Sequence, residues 1–134
     1  VDLNFQLSLA GEENIKGLES KKIIFHPFQN ETVSLINIYD KCNIFILPSF
    51  TEAHPKVVDE SLARERPVII FEDIKHIIQK REGIFVANRN AESLLEKINY
   101  IMKNYSNIQK SMKKNNLPTK KNFIESMCGI LNSS

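Results

Sequence analysis

The stretch NIFILPSFTEAHPKVVDESLARERPVIIF, residues 43–71, decides the fold. It opens and closes on short uninterrupted apolar runs, Ile44-Phe45-Ile46-Leu47 and Val68-Ile69-Ile70-Phe71. Runs of this length, rich in β-branched and aromatic residues, read as strands. Because no polar residue alternates with the apolar ones, both faces of each strand have to be covered. Between the two runs, Pro55 suits a first helical position, and Val57, Val58, Ser61 and Leu62 share one stripe of a helix. Strand, helix and strand in succession imply a parallel sheet with helices packed on it.

The pattern continues on either side. Further β-rich runs stand at Phe5 to Ala10, Lys22 to His26 and Ile84 to Ala87, joining Asn43 to Leu47 and Pro67 to Phe71. Asn30 to Tyr39 reads as a helix with Thr32 as its N-cap. Asn90 can cap another helix, whose apolar residues Leu94, Leu95, Ile98, Ile101, Met102 and Tyr105 keep helical spacing. The expected fold is α/β, an open parallel sheet of about five strands, doubly wound, with helices on both faces. Residues 1–134 read as one domain, with 105–134 as a C-terminal helical extension that Pro118 interrupts before Asn122 to Leu131.

Composition removes whole classes of function. With 42% hydrophobic and 25% charged residues among 134, the chain is ordinary globular material, neither disordered nor collagenous nor a disulfide scaffold. Its four glycines, at positions 11, 17, 83 and 129, are too widely spaced for G-x-G-x-x-G or a Walker A loop. Cys42 and Cys128 cannot form a C-x-x-C motif and read as reduced core or boundary thiols. No apolar run approaches the roughly 20 residues that span a bilayer. The start, Val1-Asp2-Leu3-Asn4, has neither a Met nor a signal pattern, and reads as a cut chain.

Charge is segregated along the chain. Residues 1–96 carry 11 basic and 15 acidic side chains, whereas 97–121 carry seven lysines and no acid. Lys97 to Lys121 suits either a solvated helical face or an anionic membrane surface. Only Tyr100, Tyr105 and Phe123 are available there to stack bases, so nucleic acid is not an expected partner.

Ligands of open α/β sheets bind at the carboxyl ends of the strands, here segments 10–14, 26–30, 48–56 and 72–75. Segment 48–56 carries the chemistry, with Glu52 in the loop after a strand and Glu60 eight residues on, in the next helix. A carboxylate accepts from a pair of vicinal hydroxyls, and the free N–H groups of a helix start suit a phosphate. Sugar, ribose and phosphate could all be held here. The same residues also allow a plain arrangement in which Glu60 pairs with Lys56 and Glu52 is an ordinary loop residue. Glu52, His54, Asp59 and Glu60 could in principle ligate zinc or manganese, but no Asp-x-Asp occurs and no metal is expected. His26 and His76 read as solvent-facing.

Taken together, these residues resemble the retaining glycosyltransferases of the GT-B fold that carry an E-x7-E motif, the glycosyl transferases group 1 or family four. Asn43 to Ser49 is similar to the strand before that motif, Glu52 and Glu60 match its two acids, and Ala63 with Pro67-Val68-Ile69 matches the helix end and strand after it. Leu7 to Gly11, Lys22 to Gln29 and Leu35 to Cys42 resemble upstream elements, so the likeness spans roughly residues 4 to 104. The chain departs from the pattern at Ala53 and Glu65, where the family has glycine, and at His54, where Phe is common.

The resemblance implies a C-terminal, donor-binding domain, a Rossmann-like half of a GT-B enzyme, without its first strand-helix unit. It further implies that Glu52 is the catalytic carboxylate at the donor sugar and that Glu60 holds the ribose diol. Ala53, His54, Lys56 and Val57 would approach the sugar and diphosphate, and Phe28 would lie against the base. The implied partners are a nucleoside diphosphate sugar and a glycan or lipid acceptor held by an N-terminal domain, with no separate cofactor. The implied setting is polysaccharide or lipopolysaccharide biosynthesis in the cytoplasm, peripheral to the inner face of the membrane, and this domain alone would be inactive. The competing expectation is a non-catalytic sugar- or nucleotide-binding or signalling module of flavodoxin-like fold. A phosphoacceptor receiver needs an Asp at the end of the third strand, where this chain has Leu47-Pro48.

Overall fold

The computed structural model describes residues 6–10, 23–26, 32–53 and 55–115. The chain forms two compact units, Val1–Cys42 and Asn43–Ser134. In the first, β1 (Leu7–Ala10) and β2 (Ile23–His26) pair in parallel, from Leu7 opposite Ile23 to Ala10 opposite His26. Helix α1 (Thr32–Lys41) follows, with Lys41 in its last turn, where a cation complements the helix dipole. Thr32 is the first helical residue of this helix. Tyr39 is buried, its carbonyl accepts from the Cys42 N–H at 3.0 Å, and Cys42 is a half-buried free thiol. Cys128 lies outside the described residues.

The second unit is a parallel three-stranded sheet in the order β3 (Phe45–Ile46), β4 (Val68–Phe71), β5 (Ile84–Ala87). It is flanked by α2 (Lys56–Ala63), a 3₁₀ segment (Glu72–Ile78), α3 (Ala91–Lys103) and α4 (Tyr105–Met112). The fold class is therefore α/β with parallel strands, as the apolar runs require. The strand arrangement needs correction, because the five described strands fall into two sheets, of two and three, rather than one sheet of about five. β4 meets the both-faces expectation, since Val68, Ile69 and Ile70 are wholly buried. β3 does not. It is half-buried and short, and its ladder to β4 runs only from Phe45 N–H to the Pro67 carbonyl and from Leu47 N–H to that of Ile69.

Helix α2 buries Val58, Ser61 and Leu62 against the core, and Val57 is half-buried beside them. Pro55 is its N-cap rather than its first helical residue, because its ψ of 112° is still extended. At the other end, Glu65 takes φ +55°. Its N–H reaches the Leu62 carbonyl at 2.9 Å, and the Arg66 N–H reaches that of Ser61 at 2.9 Å. This is a Schellman closure, for which glycine is the usual left-handed residue. The backbone closes this turn with Glu at the left-handed position where glycine is usual. Ser61 Oγ donates to the Arg66 carbonyl at 3.0 Å, which satisfies the one buried polar side chain among the described residues.

Asn90 caps α3 as its sequence position indicates, its Oδ1 accepting from the Ser93 N–H at 2.7 Å. The expected helical stripe does not run unbroken to Tyr105. α3 stops at Lys103, and the Asn104 side chain donates to the Tyr100 carbonyl at 2.9 Å, a local bond that competes with helix continuation.

Helix α4 then crosses the edge of the sheet where the three strands begin. Tyr105 Oη donates to the Asn43 carbonyl before β3 at 2.8 Å, and Gln109 Nε2 to the Glu65 carbonyl before β4 at 3.0 Å. Asn115, just past the helix, brackets Glu82 before β5, accepting from its N–H at 2.7 Å and donating to its carbonyl at 2.8 Å. Met112 packs so closely on Gly83 that a Cβ there would sit 2.6 Å from Met112 Cγ, and Gly83 has φ +93°. No helix among the described residues is long and apolar enough to cross a membrane.

Candidate functional site

At the opposite edge, where β3, β4 and β5 end, the groups that meet are polar and come from separate elements. The chain leaves β3 through Pro48 and Ser49 into the loop that carries Glu52. Ser49 Oγ donates to Glu52 Oε1 at 2.8 Å, which fixes the half-buried carboxylate from within its own loop. His76, on the 3₁₀ segment after β4, donates from Nε2 to the Glu52 carbonyl at 2.7 Å. A carbonyl only accepts, so Nε2 carries the proton.

Arg89, two residues past β5, makes the longest-range link at this edge. Its Nη1 and Nη2 donate to the carbonyls of Pro48, at 3.0 Å, and Ser49, at 2.8 Å. Its Nε donates to Asp73 Oδ2 at 2.8 Å. The guanidinium carbon lies 3.7 Å from the centroid of the Phe50 ring and 4.7 Å from that of Phe71. Hydrogen bonds from a charged donor contribute about 1.5–3 kcal/mol. The ion pair, with the Asp73 side chain 41% exposed, is worth about 1 kcal/mol or less. Asp73 lies outside the loop, so Arg89 holds the loop itself through the two carbonyls and the face of Phe50.

The anticipated residues divide as follows. Glu52 and Ala53 occupy the β3–α2 loop at the carboxyl edge of the sheet, Lys56 and Val57 open α2, and Glu60 lies in its second turn. Ala53 and Lys56 are exposed, and Val57 and Glu60 are half-buried. His54 and Phe28 lie outside the described residues. Asp59, weighed above as a metal ligand, pairs instead with the guanidinium of Arg81, whose Nε also donates to the Ile78 carbonyl at 3.2 Å. Among the described residues no three His, Cys, Asp or Glu side chains group as a metal site would require.

Sequence reasoning missed Arg89 and Asp73, and read His76 only as solvent-facing. His76 is exposed, yet it is bonded to the Glu52 backbone. The signal for Arg89 was available, since residues 88–90 follow a strand end and the carboxyl-edge rule applies to them as to the other segments.

A family model described as glycosyl transferases group 1 matches residues 4–118. No curated protein and no solved structure matches the chain.

Proposed function

The chain belongs to the glycosyl transferases group 1 family, and from that premise we propose that it forms the donor-binding domain, C-terminal in its enzyme, of a retaining transferase that uses a nucleoside diphosphate sugar. The observation that supports this most is the placement of Glu52, tied by Ser49 at the carboxyl end of a parallel strand and followed by Glu60 in the next helix. In this reading Glu60 accepts from the ribose diol, and Glu52 faces the donor sugar near its anomeric carbon. Ala53, His54, Lys56 and Val57 adjoin the sugar and diphosphate, and Phe28 adjoins the base. The bond from the anomeric carbon to the diphosphate oxygen breaks, a bond to an acceptor hydroxyl oxygen forms on the same face, and that hydroxyl loses its proton. Catalysis is then chiefly positioning and stabilisation of the departing diphosphate.

The acceptor, a glycan or lipid, is held by a domain other than this one. The lysines of segment 97–121 suit work at an anionic membrane surface, on its cytoplasmic face. Calorimetric titration of UDP and GDP sugars into the protein that carries this domain tests the donor site. Binding by one nucleotide class, weakened at least tenfold by Glu60→Ala, is the expected result. Absence of binding by either class, or affinity unchanged by the substitution, would remove the assignment. Binding of the sugar nucleotide with no transfer to any acceptor would favour a non-catalytic module instead.

A further inference from the structure

Glu52 belongs to a loop whose internal side-chain bond, from Ser49, holds the carboxylate and leaves the backbone to partners elsewhere. Its backbone leaves a two-residue strand at Pro48, which cannot donate to a ladder, and Pro55 at the far end cannot donate either. The carbonyls of Pro48, Ser49 and Glu52 are nevertheless all occupied, and the two partners come from segments beyond β5 and β4. Arg89 takes the first two and His76 the third. Arg89 is itself oriented by Asp73, three residues before His76 and on the other side of the kink at Ile74. Its planar fork matches two successive carbonyls as a lysine ammonium would not. Phe50 covers part of the guanidinium while remaining 67% exposed.

We infer that Arg89 and His76 form a two-point clasp on the Pro48–Glu52 loop and are positioning residues for Glu52 in glycosyl transfer. Neither touches the reacting atoms. Arg89 sets where the loop leaves the sheet, and His76 sets the carbonyl of Glu52 itself, while Ser49 aims the carboxylate. The inference rests on the assignment of Glu52 to the donor sugar. Its physical content is that a small displacement of a carboxylate at the reacting carbon costs far more in turnover than in donor binding.

Transfer kinetics on the full-length protein that carries this domain, with Arg89→Ala, Arg89→Lys, His76→Ala, Glu52→Gln and the Arg89→Ala/Glu52→Gln double variant, test it. Arg89→Ala is expected to lower kcat on the order of 100-fold with the donor KM within about threefold of wild type. Arg89→Lys, which keeps the charge but not the fork, recovers only part of the loss, and His76→Ala costs about tenfold. In the Glu52→Gln background, Arg89→Ala costs less than about threefold more, because the group it positions is already gone. Fully multiplicative losses in the double variant, or full recovery by lysine, would overturn the clasp.

Backbone order parameters from nuclear magnetic resonance relaxation supply a readout that does not need activity. Those of Ser49 to Ala53 should fall in Arg89→Ala while those of Val68 to Phe71 stay high, and an unchanged loop would also overturn the clasp. If the loop loosens but Glu52→Gln keeps wild-type turnover, the assignment of Glu52 fails and the clasp on the loop stands.

Discussion

The two edges of the three-stranded sheet are built on opposite plans. Where the strands begin, one helix and its flank hold everything, since Tyr105, Gln109 and Asn115 each take the backbone before one strand, and Met112 closes over Gly83. Where the strands end, the bonds run between separate elements. Arg89 from beyond β5 and His76 from beyond β4 reach the loop beyond β3. The first edge can be shut by local geometry and tight packing. The second holds a carboxylate in place while leaving Phe50, Ala53 and Lys56 open to solvent. Stability is therefore expected to reside at the beginning edge and chemistry at the ending edge, and substitutions can separate the two.

The largest expected effect is on chemistry. Glu52→Gln should lower kcat by about 10²–10³, equivalent to about 3–4 kcal/mol in the barrier, while the urea midpoint hardly moves. A shift in stability of comparable size would erase the distinction between the edges. Next is Gly83→Ala, which should cost about 2–4 kcal/mol of folding stability. The reason is that the new methyl meets Met112 Cγ at 2.6 Å and the backbone holds φ +93°. Urea unfolding reads it, and the folded fraction should bind donor as before. Asn115→Ala removes both bonds to Glu82 and should cost about 1–2 kcal/mol, again without changing donor affinity. The smallest is a gain. Glu65→Gly should stabilise by about 0.5–1 kcal/mol, the relief of a left-handed non-glycine residue less the backbone entropy of glycine.

The distinction between the edges also marks what could be read from sequence. The strand runs, the Asn90 cap and the α2 stripe were legible because each depends on local spacing, and β4 announces itself through four consecutive apolar residues. The pairing of those strands into sheets of two and three was not legible, because ladder partners are distant in sequence. The break at Asn104 was missed because helical apolar spacing continues across it, while the competing bond is made by a polar side chain. Glu52 and Glu60 stood out by type and spacing. Arg89 and His76 did not, since their partners in the loop lie 24 to 41 residues away and are backbone carbonyls, which have no residue identity to read. The turn at Glu65 shows the converse, a position where residue type argues against a left-handed closure and the backbone adopts one at a cost.

The most direct measurement compares amide hydrogen exchange of the protein with and without a nucleoside diphosphate sugar, read separately at each edge. Donor binding at the ending edge should add protection at residues 49–53 and in the first turn of α2, and leave residues 82–83 and 105–115 unchanged. Protection confined to the α4 side, or no change at either edge at saturating ligand, would contradict the assignment of the donor site to the Glu52 loop.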